Sequence, residues 1–170
     1  MDARRKRRIV RYELPLKQYL SDLPGKGGGC KLVLFQRGRD ESLLLALNNQ
    51  IFSEHPDQGS WNMDTLINKL NETIKFDSDL QILHYEGEPS GFIWLKHHDQ
   101  SGFAVCEIFV MGVLDKLRGL GLGKYLVSSA LDVIKKLGYS TAWVYTDESN
   151  TRARKLYESF GFRFDFIEEL

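Results

Sequence analysis

The stretch RGLGLGK at 118–124 sets three glycines at alternate positions between two cations, then runs straight into YLVSSALDVIKKLG at 125–138. Each glycine weakens regular structure by about 0.5–1 kcal/mol relative to alanine, so three at the head of a helical pattern mark backbone that something else approaches. Leu122, Leu126, Ala130, Val133 and Leu137 recur on one face of that helix, with Gly138 as its stop. A helix opening near Gly121 leaves N–H groups without intrahelical partners and places the positive end of its dipole there. Such an end favours an anion, and Arg118 and Lys124 add charge to it. A loop that merely turns tightly is the other reading of this stretch taken alone. A P-loop is excluded, because Arg118 stands where its first glycine belongs and Tyr125, not Ser or Thr, follows Lys124. A dinucleotide fingerprint begun at Gly119 fails as well, with Lys124 in place of the third glycine.

Before the glycines come LQILHYE at 80–86, SGFIWLKHH at 90–98 and AVCEIFVMGV at 104–113, three runs of strand formers. The EGEP and HDQSG turns between them predict an antiparallel meander. CKLVLFQ at 30–36 reads as a strand, after a flexible PGKGGG loop at 24–29. Two helices follow at 40–55 and 62–74, the second with Met63, Leu66, Leu70 and Ile74 on one face. After the glycine-headed helix, STAWVYT at 140–146 is a strand. SNTRARKLYESF is a helix capped by Ser149 or Asn150 and closed by Gly161, and FRFDFIEE is a last strand. The order β α α β β β α β α β predicts a single α/β domain over 12–170, its sheet mixed and mostly antiparallel, flanked by helices. Residues 1–11 read as a basic, mobile N-terminal segment.

At 170 residues, 42% hydrophobic and 27% charged, the chain reads as one soluble globular domain. No run approaches the ~18 apolar residues of a membrane helix, and no apolar region follows the basic start as a signal peptide requires. Cys30 and Cys106 lack metal-ligand spacing and read as reduced thiols of a cytoplasmic protein. Residues 1–11 hold six of the 23 basic residues and one of the 23 acidic ones, leaving a remainder of net −5. RRKRR at 4–8 has the composition of a nucleic-acid arm, but a solvated terminus is the commoner case and the acidic remainder argues against a nucleic-acid partner. Nothing in the sequence specifies an oligomeric state.

RGLGLG fits the Q/R-x-x-G-x-G pattern, a strand ending in VMGV precedes it, and NTRARKLYESFGF at 150–162 fits N-x-x-A-x-x-L-Y-x-x-x-G-F. In these features and in element order from residue 30 onward, the chain resembles the GNAT superfamily of acetyl-CoA-dependent N-acetyltransferases. LALNNQIFSEHPDQGSWNMDTL at 45–66, GFIWLKHH, EIFVMGV and VYTDESNTRARKLYESFGF narrow the likeness to the C-terminal, catalytic half of the mycothiol synthases. Those enzymes carry two tandem GNAT domains, against one here, and usually a glutamate where Asp57 stands.

The resemblance implies direct acetyl transfer from acetyl-CoA to a primary amine in a ternary complex, without an acyl-enzyme. It makes the amine that of a small molecule, a cysteinyl sugar in the narrower likeness. It assigns the pyrophosphate to Arg118, Gly119, Leu120, Gly121, Leu122, Gly123 and Lys124. The pantetheine would run along Met111, Gly112 and Val113, whose N–H groups polarise the reacting carbonyl. Asn150, Thr151, Arg152, Ala153, Arg154 and Lys155 would flank it, and Asp57, Lys96, Glu107 and Tyr145 would meet the acceptor.

Glu107 is a lone carboxylate in a strand apolar on both faces, where desolvation favours a base. The resemblance makes it the general base, directly or through one water; an ion pair with a neighbour such as Lys96 is the alternative. Tyr157, two helical turns past Asn150, takes the role of acid toward the leaving thiolate, or else packs its helix onto the sheet. His97 and His98 are adjacent in a strand, hence on opposite faces, and make no two-histidine metal site; His55 and His84 have no sequence partner, so no metal is expected. Trp61, Trp94 and Trp143 read as core or pocket wall, and Cys106 as a small apolar group. Rival functions are acetylation of a protein N-terminus, a lysine or another small amine, and a silent acyl-CoA-binding module. A binding module needs neither Glu107 nor Tyr157.

Overall fold

Seven strands and four α-helices succeed one another in the computed structural model, which describes residues 6–21, 28–100 and 102–170. The strands are β1 (Arg8–Pro15), β2 (Cys30–Leu34), β3 (Leu80–Tyr85), β4 (Glu88–Gln100), β5 (Phe103–Val113), β6 (Thr141–Asp147) and β7 (Arg163–Glu169). The helices are α1 (Glu41–Ile51), α2 (Met63–Thr73), α3 (Leu122–Lys136) and α4 (Thr151–Ser159). All strands join one sheet in the order β2-β3-β4-β5-β6-β1-β7, antiparallel throughout except where β5 meets β6. Of the expected PGKGGG loop, only Gly28 and Gly29 fall among the described residues.

The basic start does not stay outside the domain. Residues 8–11, read from sequence as part of a mobile segment, belong to β1, which lies between β6 and β7. Its charges conceal a period of two: Val10, Tyr12 and Leu14 are each 1% exposed. The cations along it find anions on neighbouring strands and loops, Arg8 on Glu148 at 3.0 Å and Arg11 on Asp165 at 2.6 Å.

Two cores flank the sheet. On one face Val10, Tyr12 and Leu14 join Ile93, Leu95, Cys106 and Ile108 against Leu126, Ala130 and Ile134 of α3. On the other, Leu44 and Leu47 of α1 and Leu66 and Leu70 of α2 cover Ile82, Phe92, Trp94 and Val110. Met63, expected on the core face of α2, is 36% exposed, while Thr73 turns inward and accepts the Trp94 indole N–H at 2.9 Å. Helix α1 stops at Ile51, short of the expected residue 55, and hands over to a tight turn at 55–59. Asn150 caps α4 by accepting the Ala153 N–H at 3.1 Å.

The feature that makes room for a site is the parting of β5 and β6. They pair only through Cys106–Ala142, Glu107–Trp143 and Ile108–Val144. On its other side β5 slips register against β4, with Val110 opposite Trp94 but Ile108 opposite Leu95, so Phe109 is an extra residue in the strand. Such a bulge bends and twists its strand. Past Ile108 the two strands no longer pair, and a cleft opens between them.

Candidate active site

The cleft has a volume of about 740 Å³. One wall is Ile108–Val113 of β5 and the other is Tyr145–Asp147 of β6. The first turns of α3 and α4 close one end, and Phe52, His55, Gln58 and Arg7 close the other.

At the first end, Gly121 caps α3 in a left-handed conformation, φ 79°, and no side chain caps the helix. Gly119 has φ 82°. Both values lie where residues with a Cβ are strained, which is why glycine stands there. The first intrahelical bond runs from the Tyr125 N–H to the Gly121 carbonyl, so the N–H groups of Leu122, Gly123 and Lys124 lack helix partners. A Cβ at Gly123 would make an ordinary contact with Leu156, at 3.4 Å. This backbone, with Lys124 and Arg152 beside it, fits a pyrophosphate. Arg118 lines the same end but pairs with Asp115.

Of the residues expected around the donor, Met111, Gly112, Val113, Arg118, Gly119, Gly121, Leu122, Gly123, Lys124, Asn150, Arg152 and Ala153 line the cleft. Leu120, Thr151, Arg154 and Lys155 do not. Arg154 turns back into the fold, donating to the Tyr12 hydroxyl and the Glu148 carbonyl, both at 2.9 Å.

Tyr157 lies in the cleft wall, 6% exposed, its ring edge-on to Phe162. Burial pushes its phenol pKa upward, so the hydroxyl keeps its proton at neutral pH. Glu107 sits one residue before the lining part of β5 and is 7% exposed. Its carboxylate is bonded to His98 Nε2 at 2.6 Å. Lys96, the anticipated ion-pair partner, is opposite Glu107 in register, but its ammonium lies over the Phe109 ring, 5.2 Å from the centroid. His97 and His98 do point to opposite faces, toward Asp79 and Glu107 respectively.

The residues expected around the acceptor divide. Tyr145 lines the cleft, while Asp57, Lys96 and Glu107 are not among its lining residues; Asp57 reaches its rim through Arg7. Among the lining residues without an assigned role in the sequence reading are Arg7, His55, Gln58 and Asp147. Arg7 lay in the segment read as mobile. His55 lacked a sequence partner because its partners are distant in the chain: Arg7 Nη2 lies 2.9 Å from its Nε2 and Asp147 Oδ2 lies 3.4 Å away. The Arg7 guanidinium holds the Asp147 carboxyl below its ordinary pKa.

The family model described as acetyltransferase (GNAT) family matches residues 44–162, from α1 to the end of the α4 turn. The chain belongs to the GNAT family. Mycothiol acetyltransferases of Stackebrandtia nassauensis and Thermobispora bispora are each 37% identical to it, over 86% and 93% of this chain and 50% and 54% of theirs. The chain spans about half the length of the curated relatives it matches. A GCN5-related N-acetyltransferase from Sphaerobacter thermophilus shares the fold with a TM-score of 0.76 at 19% identity, covering 96% of this chain and 50% of that one. Arabidopsis thaliana Naa50, solved with the bisubstrate analogue CoA-Ac-MVNAL, gives 0.68 at 23% identity over 81% of this chain and 85% of its own. In this GNAT chain β1, β2, β7 and Arg7 lie outside the matched segment.

Proposed function

We propose that this GNAT chain transfers an acetyl group from acetyl-CoA to the primary amine of a small molecule, and that the amine is a cysteinyl sugar of the mycothiol type. The observation that carries the reading is an uncapped, glycine-headed helix end opening into a cleft between two parted strands, with a buried tyrosine in its wall. Acetyl-CoA, when bound, supplies an activated acyl thioester. The free N–H groups at 122–124 and the Lys124 ammonium bind its pyrophosphate. The edge of β5 at 109–113, released from β6, offers backbone groups to an extended arm, and N–H groups near Met111–Val113 polarise a carbonyl. Tyr157 Oη holds the proton a leaving thiolate needs, and the Glu107 carboxylate takes the one an ammonium must lose. No helix among the described residues is long and apolar enough to cross a membrane.

Donor binding is tested first. Acetyl-CoA should raise the melting temperature by mass action, with about 2.7 kcal/mol of stabilisation at 100-fold excess over Kd. The shift should shrink as salt rises, since part of the attraction is ionic. Gly121→Val should remove the shift, because valine resists the positive φ that aims the helix end into the cleft. An unchanged affinity in a folded Gly121→Val protein would displace the pyrophosphate from this helix.

Activity is read by CoA release and product mass on a panel of cysteinyl sugars, peptides and simple amines. Acetylated cysteinyl amine is the expected product. Peptide products alone would keep the acetyl-transfer reading and remove the cysteinyl acceptor. Tyr157→Phe should leave acetyl-CoA affinity nearly unchanged while turnover falls, whereas donor binding with no CoA release from any amine identifies a binding module.

A further inference from the structure

Arg7 completes the acceptor end of the cleft from outside the segment that the family model matches. It precedes β1 by one residue, and its planar guanidinium reaches two carboxylates at once. Nε and Nη2 donate to the two oxygens of Asp147, at 2.5 and 3.1 Å, while Nη1 donates to Asp57. Asp147 ends β6 and Asp57 belongs to the turn after α1, so one side chain fastens opposite sides of the cleft mouth. The fork geometry of arginine permits this; a lysine ammonium has no such fork.

His55 reinforces the tie. Its Nδ1 accepts the backbone N–H groups of Asp57 and Gln58, at 3.2 and 3.1 Å, which orients the ring so that Nε2 faces Arg7 Nη2 at 2.9 Å and Asp147 Oδ2 at 3.4 Å. Two carboxylates and one guanidinium sum to −1. An ammonium or a set of hydroxyls is welcome at such a mouth, and an acceptor carrying a carboxylate is repelled.

We propose that Arg7 is a positioning residue for the acceptor: it holds Asp57 and Asp147 so that their remaining lone pairs meet a cationic, polyhydroxylated amine. The inference rests on the acetyl-transfer reading for its substrate, but not for the clamp itself. Two measurements separate them. Amide hydrogen exchange at Gln58 and Gly59, followed in the free protein, should quicken in Arg7→Ala while α2 and β3 keep wild-type protection. With cysteinyl-glucosamine as acceptor, Arg7→Ala should raise its KM roughly tenfold or more, the range for losing a charged hydrogen bond. The KM for acetyl-CoA and kcat should stay within about twofold. Arg7→Lys should restore only part of the acceptor KM, because it holds one carboxylate and not both.

Unchanged exchange at 58–59 overturns the clamp, and an equal rise in both KM values overturns the acceptor role. If the wild type turns over no amine, the acetyl-transfer reading falls while exchange still judges the clamp. If Arg7→Ala does not fold, the same two measurements on Arg7→Lys decide.

Discussion

Glu107→Gln is expected to lower kcat roughly 10²–10⁴-fold, the range for losing a general base. Glutamine keeps the shape of the side chain and an oxygen for His98 Nε2, now 2.6 Å from the carboxylate, so the fold loses little. What disappears is the capacity to take a proton from the incoming ammonium. An alkyl amine on the lysine scale, near 10, arrives almost wholly protonated at neutral pH. Raising the pH supplies more neutral amine, so the variant should recover part of its rate while the wild type gains less. Acetyl-CoA affinity, measured by thermal shift, should not move. Wild-type turnover in Glu107→Gln would pass the role to Lys96 or to a water held by backbone.

The largest loss of stability is expected on the opposite face of the sheet. The side chains of His97 and Asp79 are both 0% exposed, and His97 Nε2 lies 2.7 Å from Asp79 Oδ1. Asp79 Oδ2 accepts the N–H groups of Lys75 and Phe76 at 2.8 and 2.9 Å, and the Tyr139 hydroxyl meets His97 Nδ1 at 2.7 Å. Cys106, opposite His97 in register, has its thiol pKa pushed up to about 12, chiefly by burial. Removing one partner of a buried pair strands the other without water, at a cost of about 3–5 kcal/mol. Asp79→Ala should therefore lower the denaturant midpoint strongly and the melting temperature by roughly 6–20 °C, on about 2–4 °C per kcal/mol at this size. Asp79 does not line the cleft, so kinetic constants measured well below the new melting point should hold. A loss under about 1 kcal/mol would mean that the network is solvated or dispensable.

Much of this was legible in the sequence because local chemistry and global fold agree. The meander at 80–113 is bounded by turns that its composition announces, and the glycines at 119 and 121 do take the positive φ that a helix-opening turn requires. Cys106 packs as the small apolar group its neighbours suggested, and Asn150 rather than Ser149 caps α4. Strand β1 escaped because its start lies in a segment, 1–11, with six cations in eleven residues, although Val10, Tyr12 and Leu14 alternate as a strand requires. Most of the acceptor cluster followed it out of view: only Asp57 was assigned there, by resemblance, because Arg7, His55 and Asp147 come from three places in the chain and nothing local joins them. Lys96 was a reasonable partner for Glu107 by register alone. Position along the strand gave the neighbour; the rotamer that favours His98 is a tertiary matter.

The placement of β1 also sets an order of assembly. Its partners are residues 141–147 and 163–169, more than 120 residues later, so it can be seated only after nearly the whole domain has left the ribosome. Until then RIVRYELP waits as an amphipathic strand without neighbours, the kind of segment that seeks the wrong edge. The RRKRR run at 4–8 leads directly into it, and like charges beside an apolar strand repel a second copy. The same cations that obscured the strand are its escort during synthesis. Arg7 is brought to the cleft only when β1 slots between β6 and β7, so the mouth of the cleft depends on that docking.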